Sequence, residues 1–374
     1  MSVDIRRVSN SRELRKYIAF PIDLYRGNPY YVPALFLDDL NTLDAKKNAA
    51  FEFCEAEYWL AYKEGKLVGR VAGIVNPRYI EKWKNRWARF GWLDFVEDFE
   101  VASALIRTVE EWARAKGLDA VHGPMGFTDL DREGLLVEGF DEAATLATNY
   151  NYPYYAEYLE RLGYKKDKDW IEFQVTVPSI IPEKVLRVNE LIQKRTGARI
   201  FEWKTKKEIV TRFGKELFGL IDEAYVGLYG TTPLSERQVD AYIKQYLGFV
   251  DPRFTKIIVD AEDQLIGFGI SIPSLSDALR NSRGRLFPFG WLRLLLALRN
   301  PRFMDMYLVA VRPEYQARGV VAVLMTALNR SAIENGVQFA ETNPELEDNI
   351  EVQGLWKDYD KRQHKRRRVF LKKL

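Results

Sequence analysis

The residues best suited to chemistry lie between Met306 and Tyr359. In the stretch MYLVAVRPEYQARGVVAVLMTALNRSAIENG an apolar strand runs to Val311, a turn opens on Arg312-Pro313, and a long amphipathic helix starts near Val320. Such a connection points backbone N–H groups and the positive end of a helix into one small volume, which suits an anion. Arg318 adds charge, and Gly319 lets the backbone approach an oxygen with no Cβ in the way. A pyrophosphate is a plausible guest of the turn formed by Gln316, Ala317, Arg318, Gly319, Val320 and Val321. The plain alternative is an ordinary strand-to-helix connection, because one glycine and one arginine are weak evidence on their own.

Two groups in the same region can move protons. Glu341 ends the strand that follows this helix, and a partly desolvated carboxylate there can take a proton from an ammonium, directly or through water. Tyr359 offers a phenol, whose usual pKa near ~10 lets it give a proton to a basic group; packing is the bland alternative. Glu345, Glu347 and Asp348 read as a solvated acidic loop, and His122 before Gly123-Pro124 reads as structural. No Ser-His-Asp or Cys-His set competes. The single cysteine, Cys54, cannot form an internal disulfide, and with only His122 and His364 it is too little for a zinc site, so no metal is expected.

The elements that must position these residues follow from periodicity. Residues 3–8 alternate as a strand, and Asn10 or Ser11 can cap the helix after it. Tyr58–Tyr62 and Leu67–Ile74 flank a Glu64-Gly65 turn as a hairpin, Trp92–Val96 is a strand, and Val101, Leu105, Val109 and Trp112 share one helix face up to Gly117. A strand starts at Asp119, a helix spans Tyr154–Leu162, and Trp170–Val177 alternates cleanly before Pro178 and Pro182 mark a linker. From Arg199 the order returns: strand, helices between Lys206 and Tyr246, and a hairpin of Thr255–Asp260 with Gln264–Ile272. After an insertion (Ser274–Arg302) come strand Met306–Val311, helix Val321–Asn335, strand Val337–Thr342, helix Asn349–Tyr359 and strand Arg367–Leu371.

The two hairpins resemble each other. AYKEGKLVGRVAGI (61–74) and VDAEDQLIGFGISI (259–272) each place a short acidic turn before an apolar pair and a glycine, Gly69 and Gly267. Similarity at that spacing points to a duplicated domain, and 374 residues suffice for two cores. The expected architecture is α+β: two tandem units, 1–180 and 181–374, each a mixed central sheet flanked by helices.

Composition excludes several classes. Lys plus Arg number 56 against 53 acids, a net charge of +3, which is too balanced for wholesale phosphate neutralisation, so no nucleic-acid partner is expected. The start MSVDIRRVSN lacks a signal-peptide core and no run of ~18 apolar residues exists, so neither secretion nor a membrane span is indicated. A cytoplasmic location fits. The insertion FPFGWLRLLLALR (287–299) is an apolar, arginine-edged helix that can line a pocket, lie on a membrane surface, or be buried between the two units, the favoured reading. The basic run KRQHKRRR (361–368) reads as a solvated face.

On these residues the chain resembles the GNAT superfamily of acyl-CoA transferases. The pyrophosphate loop of that family reads Gln or Arg, two residues, Gly, one residue, then Gly or Ala, after a strand ending near a proline. Gln316 and Gly319 match, and Val321 departs. The resemblance implies acetyl-CoA or a longer acyl-CoA as co-substrate and a small-molecule amine as acceptor. It also implies that the backbone of Leu308, Val309, Ala310 and Val311 runs along the pantetheine, and that Asn349 opens the family's next motif. Trp356 stands where the family has the tyrosine that protonates the thiolate, and Asp360-Lys361 replace Gly-Phe. The first unit, with FVEDFEVASAL (95–105) in place of the loop, resembles the silent half of tandem members. Two other readings are a non-catalytic acyl-CoA-binding or scaffold protein, and transfer from an aminoacyl-tRNA, which retention of Gln316 and Gly319 disfavours.

Overall fold

A computed structural model describes residues 2–247, 250–299 and 301–374. The strands in chain order are β1 (Asp4–Arg7), β2 (Glu55–Lys63), β3 (Lys66–Val75), β4 (Trp87–Phe95), β5 (Ala120–Gly123), β6 (Leu135–Glu138) and β7 (Lys165–Thr176), then β8 (Arg199–Phe201), β9 (Thr255–Val259), β10 (Leu265–Pro273), β11 (Phe303–Val311), β12 (Phe339–Thr342), β13 (Glu345–Leu346) and β14 (Lys361–Lys373). They form one sheet ordered β1-β2-β3-β4-β5-β14-β7-β12-β11-β10-β9-β8, with β6 on β14 and β13 on β7. The architecture is α+β, as expected.

The likeness of the two hairpins extends to the pairing. β2–β3 and β9–β10 are antiparallel hairpins, the first closed by Glu64 and Gly65 with φ of 53° and 75°, the second carrying Asp263 at φ 64°. Glycine, or a short polar residue such as Asp, suits these left-handed turn positions. Each hairpin continues into a strand, a helix and a parallel strand: β4, helix Phe99–Ala115, β5 in the first half; β11, helix Val320–Glu334, β12 in the second. Both helices bury one face, Val101, Leu105 and Val109 in one core and Val323, Leu324 and Leu328 in another.

The halves exchange their last strands. β14 lies between β5 and β7, so a strand of the second half completes the first, while β7 of the first half lies beside β12. The basic run 361–368 is therefore not a solvated face. His364, Lys365 and Arg367 are buried, because neighbouring segments bring Glu142, Glu172 and Glu341 to them. The strand is also longer than Arg367–Leu371, since β7 offers it a partner from Lys165 to Val175.

Three further expectations are corrected. The helix after Asn349 spans only Ile350–Gly354, because the chain must turn back to enter the sheet as β14 at Lys361. The stretch between Pro182 and Arg199 holds a helix, Glu183–Thr196, closed by Gly197 in the left-handed region at φ 72°. The apolar helix of the insertion, Gly290–Arg299, is not buried between the halves: Trp291, Leu292, Leu295 and Leu296 all face solvent.

Candidate functional site

β11 and β12 pair in parallel only from Phe303–Phe339 to Met306–Thr342; beyond that point β11 runs on to Val311 beside β10 alone. The sheet therefore parts along Tyr307–Val311, which places Leu308, Val309, Ala310 and Val311 on a strand open along one side. Several carbonyls there accept from side chains instead of a neighbouring strand: Tyr307 O from Asn343 Nδ2 (3.1 Å), Val309 O from the Tyr225 hydroxyl (2.9 Å) and Val311 O from Gln316 Nε2 (2.8 Å).

At the end of β11 the chain makes a short turn of helix, Pro313–Gln316, then reaches Gly319 at φ +81° and enters the helix Val320–Glu334. No side chain caps this helix; Ala322 N donates to Gly319 O, which leaves the N–H groups of Val320 and Val321 to an outside acceptor. Gln316 staples the loop through its side chain, Arg318 is exposed, and Arg195 Nη2 donates to Arg318 O at 3.0 Å. Ala317 follows the short helix, Val320 is buried in the core, and Val321 is half-buried against it. A Cβ at Gly319 would come within 3.2 Å of Ile192 Cδ1.

The corresponding helix of the first half is closed to anions by its own acids. Asp98 caps it by accepting from Glu100 N at 2.9 Å, and Lys63 pairs with Asp98 (2.6 Å) and Glu100 (2.9 Å).

Where the sheet parts, charged groups gather. Glu341 lies 3.0 Å from His364 Nε2 and pairs with Lys365 Nζ, and His364 Nδ1 lies 3.4 Å from Glu142. Lys365 also lies 3.0 Å from Glu172, which Arg367 engages in turn. Burial alone would lower the Lys365 ammonium, but Glu172 and Glu341 together raise it above the usual lysine range. Asp305, opposite Glu341 in the β11–β12 register, is missed by sequence reasoning although it is the one acid in FMDMYLVAV. Burial, reinforced by the charge of Glu341, pushes its carboxyl up to about 7.

Tyr359 packs in the cluster that holds Met306 and Met325, and its hydroxyl bonds Asn329 on the helix Val320–Glu334. Burial raises its phenol. Trp356 is buried, and its indole N–H donates to Glu345 at 2.7 Å; Glu345 is no solvated loop acid, since burial pushes it up to about 7. Asn349 caps the short helix, its side chain accepting from Val352 N at 3.4 Å. His122 is fully buried against Tyr79 and Tyr229, and burial lowers it to about 4. Among the described residues no group of His, Cys, Asp and Glu could hold a metal ion, and no helix is long and apolar enough to cross a membrane.

The fold that carries this parted sheet matches solved structures over the whole chain. A tandem GNAT protein from the clavulanic acid biosynthesis pathway superposes with a TM-score of 0.55 at 13% identity, covering 100% of this chain and 98% of that one. The chain has the tandem GNAT fold. A GCN5-related N-acetyltransferase from Sphaerobacter thermophilus, at TM-score 0.53 and 13% identity, covers 99% of this chain and 95% of that chain. No family model matches the sequence. Among curated proteins, Protein YghO of Escherichia coli (strain K12) is 26% identical over 99% of this chain and 95% of its own length. A bacterial ceramide synthase of Caulobacter vibrioides is 25% identical over 83% of this chain and 80% of its own.

Proposed function

We propose that the protein moves an acyl group from acyl-coenzyme A to an amine, with the co-substrate held by the second half. The observation that carries this reading is the parting of β11 from β12 after Met306 beside the uncapped helix start at Gly319. The backbone N–H groups of Val320 and Val321 and the Arg318 guanidinium would hold the pyrophosphate, since those of Gln316, Arg318 and Gly319 already donate to Arg312 O, Tyr315 O and Gln316 O, and the Leu308–Val311 backbone would line the pantetheine. Bound acyl-CoA supplies an activated thioester carbonyl. Tyr225, Gln316 and Asn343 already hold carbonyls of β11, which leaves the arm to other groups of the strand unless they turn aside.

Glu341, its side chain 14% exposed, orients the incoming ammonium; Asp305, opposite it in the β11–β12 register and raised toward neutrality by burial, takes the proton. Tyr359, held by Asn329, is the hydroxyl available to the leaving thiolate. The transfer is direct and rests on positioning. An acyl-CoA donor fits a cytoplasmic location.

The relative named bacterial ceramide synthase supports a long acyl chain and a long-chain amino alcohol as the pair joined, since a ceramide is such an amide. Thiol release from palmitoyl-CoA with a long-chain amino alcohol is expected to exceed release from acetyl-CoA with short amines. Absence of both thiol release and calorimetric heat with either donor would sink the proposal. Heat without thiol would support binding without turnover, the second reading, which Val321, the buried Trp356 and the occupied β11 carbonyls favour.

Gly319→Val tests the cradle. It forces a β-branched residue into a left-handed conformation against Ile192, costing about 1–3 kcal/mol of stability. Affinity for coenzyme A measured calorimetrically should fall more than about tenfold, the equivalent of one lost charge-assisted bond or more. Unchanged affinity would place the pyrophosphate elsewhere.

A further inference from the structure

Most side chains between Arg283 and Arg299 face solvent, and among the described residues no other segment covers them. Phe287 is 77% exposed, Phe289 69%, Leu296 55% and Leu295 48%, with Trp291 and Leu292 beside them on the same helix. The helix Gly290–Arg299 is nonetheless held in place: Leu294 is buried, and Ala297 and Leu298 pack into a core with Leu275, Leu279, Ile272 and Tyr307. Arg253 Nη2 donates to Leu298 O at 2.9 Å and ties down its end.

The charge on this surface has one sign. From Ala278 to Met304 the sequence has six arginines and no acid. Arg283, Arg285, Arg293, Arg299 and Arg302 are exposed, and among the described residues none of them is in an ion pair. Elsewhere arginines of this protein are commonly paired, as Arg362 is with Glu142 and Arg366 with Glu138. Exposed phenylalanine, tryptophan and leucine interleaved with unpaired arginine matches the boundary between lipid headgroups and acyl chains, where rings and leucines enter the apolar layer and guanidinium groups meet phosphate.

We propose that this face docks on an anionic lipid bilayer. The inner side of the same helix shares a core cluster with Tyr307, the residue at which β11 leaves β12. On the acyltransferase reading, docking therefore brings the parted sheet next to the bilayer, so a long-chain amine can pass from the lipid to the site without crossing water.

Co-sedimentation of the full chain with vesicles tests the docking without coenzyme A or amine, so it stands or falls independently of the acyl-transfer reading. Binding to vesicles of phosphatidylcholine mixed with phosphatidylglycerol should exceed binding to phosphatidylcholine alone at least about tenfold and weaken in high salt. Arg293→Gln with Arg299→Gln should lower it about tenfold, and Leu295→Glu with Leu296→Glu should abolish it, both with the unfolding midpoint unchanged because these side chains face solvent. Should the leucine pair disturb folding, the arginine pair alone decides. No binding, equal binding to neutral vesicles, binding indifferent to the arginine pair, or a solution dimer that Leu295→Glu splits would each overturn the proposal.

Discussion

Lys365→Met will lower the unfolding free energy by about 3–5 kcal/mol at neutral pH, the usual cost of leaving buried carboxylates without their cation. The side chain of Lys365 is wholly buried at the seam between β7 and β12, and methionine fills its volume without its charge. Glu172 keeps Arg367 and Glu341 keeps His364, so the loss belongs at the lower end of that range. The ion partners hold Glu172 below the usual glutamate range although burial opposes this. Such a group stabilises the fold above its unfolded pKa, and that contribution disappears as pH falls through the folded value. The penalty of Lys365→Met should therefore shrink in acid. Urea unfolding followed by tryptophan emission at neutral and acid pH measures both; a loss below about 1 kcal/mol would mean that water supports these carboxylates.

Asp305→Asn separates stability from catalysis. The Asp305 carboxyl is raised from its ordinary range to about 7, so between those values the folded state holds a proton that the unfolded chain releases. Wild-type stability must then fall as pH rises through this window, by up to about 4 kcal/mol if the full shift is realised. The asparagine variant should be no more stable than wild type in acid and markedly more stable at pH 8. Its acyl transfer should drop at least about a hundredfold near neutrality, as removal of a proton acceptor does. A variant whose stability gains with pH while its transfer rate is unaffected would leave Asp305 a buried acid with no part in the reaction.

The features legible in the sequence are local ones. Glu64-Gly65 sets the β2–β3 turn, the alternation of Trp170–Val177 marks the core of β7, and Gln316 to Gly319 sits where a helix start opens toward the parted strand. The misread features depend on distant partners. KRQHKRRR looks solvated until Glu142, Glu172 and Glu341, from three other segments, are set against it. Nothing near residues 287–299 in the sequence says whether a second layer covers them, so apolar character alone leads wrongly to burial. Asp305 does carry a signal, an acid flanked by two methionines in an apolar strand, and such an acid is a candidate for a shifted pKa.

The exchange of β7 and β14 makes the two halves interdependent from the moment of synthesis. A ribosome that has finished the first 180 residues has made β5 and β7 but not the strand that belongs between them. The slot stays open until residues 361–373 arrive, with two unsatisfied strand edges exposed to other chains. Closure over so long a loop is entropically slow, so nascent chains are most vulnerable to misassembly during that interval. A chain cut between β7 and β8 would give two fragments, each without the strand that the other supplies to its sheet, and the acid–base cluster would be assembled only when both are present together.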